Sequence, residues 1–365
     1  MDKLKIAREK INNIDREMAK LFVERMRAAE DVAEYKKKCG LPIFDAEREQ
    51  ALIERNSEFI EDTALRSYYI DFLKSQMDIS KKYQHRIIDG MRVAYSGIKG
   101  AFAESAANRI FSGAVSVPYP DFAAAYDSVV KGECDCVVLP IENSFAGDVN
   151  RVIDLAFEGS LYINGVYDLE VIHNLLVIPG TNKKNIKTVM SHPQALSQCA
   201  PYIAANGYEI KEATNTAIAA KTLKEMNDRS VAVIASRDTA ELYGLEIAER
   251  KINESNINTT RFAVFSKCAN VPSADDNHFV LFFTVKNEAG SLGRAVSAIG
   301  KYGFNMRTLK SHPTKKLNWE YYFFAEGNGN INGEDGKRML EALRENCEDV
   351  RIVGVFESEK TLSEG

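Results

Sequence analysis

The sequence predicts a multidomain protein: an all-α N-terminal bundle, a two-lobed α/β domain and a small α+β module. Three observations carry that expectation. The first 88 residues hold one proline, Pro42, and one glycine, Gly40, with apolar residues at helical spacing. From Met91 the texture changes to short apolar β runs alternating with helical segments, the pattern of a mostly parallel sheet with crossovers. The polar stretch Ser273-Ala274-Asp275-Asp276-Asn277 then sets off a last segment of βαββαβ order, a ferredoxin-like arrangement. At 365 residues the chain also exceeds what one hydrophobic core usually serves.

Residues 2–38 read as one long helix, with Ile11, Ile14, Met18, Leu21, Ala28 and Val32 at the 3-4 spacing of a packed face. Cys39-Gly40-Leu41-Pro42 ends it, and helices resume over 45–61 and 63–86. Arg25 falls on the apolar stripe, and Lys36 projects at nearly the same angle. Charges on a core face are costly unless compensated, so the pair makes an internal salt bridge, sits on a helix displaced to the surface, or faces a buried anion. Arg8 lies about 25 Å from Arg25 along the helix. One small ligand can use both only if two antiparallel copies of the helix pair. Asp45, Arg48 and Glu49 share a face of the second helix, and Ser80 and Gln84 stand one turn apart on the third.

The ordered set Arg8, Arg25, Lys36, Asp45, Arg48, Glu49, Ser80 and Gln84 resembles the active-site set of the all-helical chorismate mutases. The resemblance implies conversion of chorismate to prephenate by a pericyclic rearrangement, with neither nucleophile nor cofactor. Arginines would clamp two carboxylates, Lys36 and Gln84 would donate to the ether oxygen, and Glu49 would accept from the ring hydroxyl. It also implies an intertwined homodimer.

In the middle segment, 92–95, 135–140, 188–190 and 231–235 read as buried strands. Two lobes are expected, because 160–180 reads as an extended crossing and Asn258 to Ser266 as a late returning strand. Polar clusters sit at strand ends, where open α/β sheets place ligands: Glu142-Asn143-Ser144, Ser191-His192-Pro193-Gln194, Asn215-Thr216 and Thr259-Thr260-Arg261. Each has a local explanation as a turn or helix cap. Together, the Glu-Asn-Ser stretch, the run Ser191 to Cys199 and Thr260-Arg261-Phe262 resemble prephenate dehydratase over Met91 to about Val271.

That resemblance implies a two-lobed fold like periplasmic binding proteins, and loss of hydroxide and carbon dioxide to aromatise a ring without a metal. Thr260 would act at the departing hydroxyl and Arg261 would anchor a carboxylate. Glu142, Asn143, Ser144, Ser191, Gln198 and Thr216 would line the cleft. The chain departs from the family's G-P-x-G-T-F-S-E loop at Ala101 and Ala103, where two hydroxyls are missing, and Asn215 stands where a serine is usual. Either the hydroxyls only cap a helix, at about 1 kcal/mol each, or substrate contacts differ.

At the C-terminal end, 279–285, 304–311, 319–326 and 350–356 read as strands and 291–302 and 336–345 as helices. Residues 277–357 resemble an ACT regulatory domain, which implies phenylalanine sensing through Gly290, Ser291 and Leu292 and through Ser311 and Pro313. Lys310 and His312 replace the family's Glu and Arg, so altered affinity is expected; a purely structural dimerisation module is the alternative.

The net charge of −5 argues against wide nucleic-acid binding, and no apolar run approaches the roughly 20 residues of a membrane span. Six scattered cysteines and a charged N-terminus fit a reducing cytoplasm; the C-x-C pair Cys134 and Cys136 reads as free thiols, not a metal site. The composite expectation is domains at 1–88, 91–271 and 277–357 of a homodimer or higher homo-oligomer. It would make phenylpyruvate from chorismate through prephenate, without cofactors. A ligand-sensing protein that has lost catalysis, and arogenate as the dehydratase substrate, are the competing readings.

Overall fold

Asp2 and Gly40 bracket the first helix. The Asp2 carboxylate accepts the Leu4 N–H at 3.0 Å, and Gly40, at φ 64°, adopts the left-handed conformation that closes helix α1, Lys3–Cys39. Asp45 caps α2, Ala46–Ser57, and Asp62 caps α3, Thr63–Asp89. The computed structural model describes residues 2–254, 258–314 and 320–362. The chain divides into two compact units, Met1–Arg92 and Val93–Gly365.

The helical unit follows the sequence expectation in its elements but not in its packing. Ile11, Ile14, Met18, Leu21 and Val32 are 44–63% exposed, and Ala33 is the one buried residue of α1. The stripe is therefore not covered within one chain. Arg25 and Met26 of α1 meet Ser80 of α3, whose Leu73, Met77, Ser80 and Gln84 are buried.

The second unit carries two sheets. The smaller runs Glu246–Glu249, Asn174–Val177, Val231–Ala235, Thr188–Ser191, Glu209–Glu212. The larger runs Asn305–Pro313, Tyr321–Asn328, His278–Thr284, Asp349–Phe356, Tyr162–Glu170, Thr259–Ser266, Cys136–Asn143, Arg92–Ser96, Val115–Tyr119. Two lobes result: the first is built on the strands Arg92–Ser96, Val115–Tyr119, Cys136–Asn143, Tyr162–Glu170 and Thr259–Ser266 of the larger sheet, the second on the smaller sheet. The expected crossing over 160–180 resolves into the strands Tyr162–Glu170 and Asn174–Val177, leaving only residues 171–173 to pass between lobes. The returning segment lies beside it: His173 N–H donates to Asn253 Oδ1 at 3.1 Å, and Ile252 N–H to the His173 carbonyl at 2.9 Å.

The last segment has the βαββαβ order expected, with helices Ser291–Lys301 and Glu334–Asn346; the strand expected over 319–326 is found at Tyr321–Asn328, and Trp319 lies outside the described residues. Phe279, Leu281 and Phe283 face the two helices, while Val280 and Phe282 join the core of the first lobe. There Phe157 stacks on Tyr322 with ring centroids 3.9 Å apart. The sheet is continuous because Gly354 pairs with Ile163, where a Cβ would stand 2.6 Å from the Ile163 carbonyl oxygen. Beyond residue 357, Lys360–Leu362 adds a parallel strand to Tyr162–Glu170. Among the described residues, no helix is long and apolar enough to cross a membrane. All six cysteines are free, with Cys134, Cys136 and Cys199 buried.

Candidate functional sites

The helical unit holds a cavity of about 230 Å³ whose walls include Arg25, Lys36, Asp45, Arg48, Glu49, Ser80 and Gln84, seven of the eight residues expected there. Arg8 does not line it, as the rise of the helix requires. Arg25 donates to Ser80 Oγ, and Lys36 Nζ donates to the Ile43 carbonyl at 2.6 Å. Asp45 lines the cavity while its carboxylate caps α2, accepting the Arg48 N–H at 3.0 Å. Gln84 is buried and its Oε1 has no hydrogen-bond partner among the described residues. Lys81, which no motif pointed to, also lines the cavity and lies 3.1 Å from Glu49. Four cations (Arg25, Lys36, Arg48, Lys81) thus face two carboxylates (Asp45, Glu49), a surplus suited to a dianion.

Between the lobes lies a cleft of about 340 Å³. Of the residues expected there, Asn143, Gln198, Thr216 and Thr260 line it. Asn143 is the hub. Its Nδ2 donates to Thr260 Oγ1 at 2.9 Å and to Asn258 Oδ1 at 3.1 Å, and its Oδ1 accepts the backbone N–H groups of Phe145 and Ala146. With Asn143 donating to Thr260 Oγ1, the hydroxyl proton of Thr260 remains available to an oxygen in the cleft.

Four expected cleft residues are elsewhere. Ser191 is fully buried and donates to the Ile234 carbonyl at 2.6 Å, tying two strands of the smaller sheet. Ser144 Oγ accepts the Thr259 N–H at 2.9 Å and secures the strand start. Glu142 and Arg261 project from the face opposite Thr260, because successive side chains of a strand alternate. Arg261, expected to anchor a carboxylate, is not among the residues lining this cleft. Its guanidinium donates to Glu142 at 2.8 Å, to Glu326 at 2.7 Å and to Glu359, and is 16% exposed. Burial opposes the charge on Arg261, but Glu326 and then Glu142 and Glu359 hold its pKa above the ordinary arginine value. Glu142 sits below the usual carboxylate range despite burial, through Arg261 and Lys310.

Two helix N-termini open onto the cleft. Phe102 and Ala103 open the helix Phe102–Ile110 and Thr216 opens Thr216–Met226, so two first turns present N–H groups there. Asn215 caps the second helix, accepting the Ile218 N–H at 2.7 Å. Ala101 stands at the N-cap of the first, makes no side-chain capping bond, and lines the cleft with Ala103. The missing hydroxyls therefore bear on both alternatives, the helix cap and the wall. His173 and His192 also line the cleft. His192 caps the helix Pro193–Gln198, whereas His173 fell in a segment read only as a crossing, and no spacing signalled it.

In the C-terminal segment a cavity of about 410 Å³ includes Leu292 in its wall but not Gly290, Ser291, Ser311 or Pro313. Ser291 is buried, Gly290 (φ 82°) starts the helix, and Ser311 and Pro313 are exposed on a strand. Lys310 turns toward the first lobe, bonding Glu142 at 3.0 Å and also Asp148, and His312 stacks on Tyr322. His278, Glu326 and Glu359 bring potential metal-ligand atoms within 4.8 Å, but both carboxylates already accept from the Arg261 guanidinium, and Glu359 also from Arg307.

A family model described as Prephenate dehydratase matches residues 93–270, and one described as Chorismate mutase type II matches residues 7–85. A bifunctional chorismate mutase/prephenate dehydratase of Aquifex aeolicus is 31% identical over 98% of each chain. Among solved structures, prephenate dehydratase from Arthrobacter aurescens in complex with L-Phe superposes with a TM-score of 0.68 at 22% identity, over 73% of this chain and 90% of that one. A chain described as GqqA, a novel type of quorum quenching acylase, gives the same TM-score at 29% identity, over 73% and 97%.

Proposed function

The chain belongs to the bifunctional chorismate mutase/prephenate dehydratases, and from that premise we propose where each reaction runs and how. The mutase reaction uses the cavity of the helical unit. Arg25 and Arg48 clamp the two carboxylates of chorismate, with Arg8 contributed by a second copy; Lys36 exchanges the Ile43 carbonyl for the ether oxygen, and Gln84 donates beside it. Glu49 accepts from the ring hydroxyl, with Asp45 and Ser80 holding Arg48 and Arg25 in place. The surplus of cations supports a dianionic substrate, and the exposed apolar stripe of α1 supports an intertwined dimer as the working form.

The dehydratase reaction uses the cleft between the lobes. The Asn143–Thr260 pair is the observation that carries this reading. As carbon dioxide leaves, its former C–C electron pair enters the ring and expels hydroxide, which takes up a proton to become water. The Thr260 hydroxyl, fixed by Asn143, hydrogen-bonds the departing oxygen, and Thr216, Gln198 and the two helix starts receive the carboxylates. Residues 277–357 act as an ACT module sensing phenylalanine, which the L-Phe complex of the Arthrobacter aurescens protein supports. Free, partly buried thiols support a cytoplasmic setting.

Chorismate supplied to the purified protein should yield phenylpyruvate. Thr260→Ala should instead accumulate prephenate at an undiminished mutase rate. Phenylpyruvate formation by that variant at the wild-type rate would remove Thr260 from the chemistry.

A further inference from the structure

His173 lines the dehydratase cleft without belonging to any motif that points there. It lies on the three-residue crossing between lobes, is 2% exposed, and has its backbone tied on both sides by Asn253 and Ile252. Phe102 packs edge-on to the ring at 5.8 Å, and His173 Nε2 stands 2.7 Å from Gln198 Oε1. An amide oxygen only accepts, so Nε2 carries the hydrogen, while Nδ1 is buried with no partner among the described residues. Burial holds the imidazole below its ordinary pKa.

The same bond sets the Gln198 amide. With its oxygen committed to His173, the Nε2 amide nitrogen is buried at the cleft wall with no partner among the described residues. Two N–H donors left unmatched in a ligand cavity are costly unless the ligand matches them.

We propose that His173 is a positioning residue of the dehydratase site: it locks the Gln198 amide so that its two N–H groups meet an oxygen of the bound dianion. A freely rotating glutamine could offer its carbonyl oxygen to the anion instead, and the histidine prevents that. The placement on the crossing adds a second consequence. Gln198 belongs to the second lobe and Thr260 to the first, so His173 registers the substrate-holding amide against the catalytic hydroxyl.

This inference rests on the reading of the Thr260 cleft, and the test separates the two. Prephenate turnover is measured for His173→Phe, Gln198→Ala, the double variant, His173→Gln and Thr260→Ala, with mutase rate and thermal unfolding recorded on the same preparations. His173→Phe and Gln198→Ala should each lower kcat/KM by about tenfold to a hundredfold, and the double variant should be no worse than Gln198→Ala alone. His173→Gln, whose amide can donate to the same oxygen, should recover most of the loss. Gln198→Glu keeps an acceptor for His173 but removes the N–H groups, and should be as impaired as Gln198→Ala. A His173→Phe protein within twofold of wild type, losses that multiply in the double variant, or a folded His173→Gln as impaired as His173→Phe would overturn the inference. If Thr260→Ala alone retains full turnover, the reading of the cleft falls and this inference with it.

Discussion

Replacing Arg261 with methionine tests whether this arginine serves the substrate or the fold. Its guanidinium contacts Glu142, Glu326 and Glu359, with Asp168 at 3.9 Å. After the replacement Glu142 keeps Lys310, and Glu359 keeps Arg307 at 2.5 Å. Glu326 keeps neither: its side chain is 1% exposed, and His278, 3.8 Å away, has its pKa pushed down to about 4 by burial and is neutral near pH 7. Removing one partner of a buried pair costs about 3–5 kcal/mol. At about 2–4 °C per kcal/mol for a unit of this size, Tm of the second unit should fall on the order of 10 °C.

The pH dependence has a definite sign. Burial already raises the Glu326 pKa, and losing Arg261 removes the principal opposing influence. A folded pKa above the unfolded one means stability is retained below the unfolded value and lost as pH rises through the folded value. The deficit should therefore be smaller at about pH 5 than at about pH 8. Adding Glu326→Gln should restore a large part of the Tm. Thermal unfolding at both pH values, with prephenate KM measured below the transition, decides the matter. An unchanged Tm combined with a large rise in KM would refute the structural assignment and return Arg261 to the substrate.

Two other expectations concern the remaining sites. If Arg8 completes the mutase site of a second copy, Arg8→Ala and Arg25→Ala proteins should each be inactive. Unfolding and refolding them together should recover about a quarter of wild-type mutase activity, because half the dimers are mixed and each mixed dimer has one intact site; no recovery would place Arg8 outside the site. Ala101→Ser should supply the missing cap of Phe102–Ile110 and raise stability by about 0.5–1 kcal/mol in denaturant titration, whereas no change would leave the hydroxyl a role only in the cleft.

Local signals in the sequence located most elements. Gly40 and Pro42 punctuate the first helix as their backbone preferences require, and the strand carrying Thr260 begins within one residue of the expected position. Motif adjacency misled where side-chain direction mattered. Thr260 and Arg261 are neighbours in sequence and opposites in space, a consequence of strand alternation that a shared motif conceals. The partners of Arg261 are 119, 65 and 98 residues away, so no local pattern announces them. The stripe on α1 was legible as a packing face, but periodicity cannot say whether the cover comes from the same chain. His173 was silent because a single histidine in an extended run resembles any other until the fold brings Gln198 to it.

The strand Lys360–Leu362 returns to the first lobe after the ferredoxin-like module is complete, and Glu359 just before it touches Arg261. Topologically the module is therefore an insertion gripped at both ends, not a bead on a tether. Grafting it onto another enzyme, or replacing it with a relative's, requires two junctions matched to one catalytic sheet. A cut at residue 357 would strip an edge strand from the lobe that holds Thr260, so loss of activity in such a truncation would report damage to the catalyst and not the absence of a regulator.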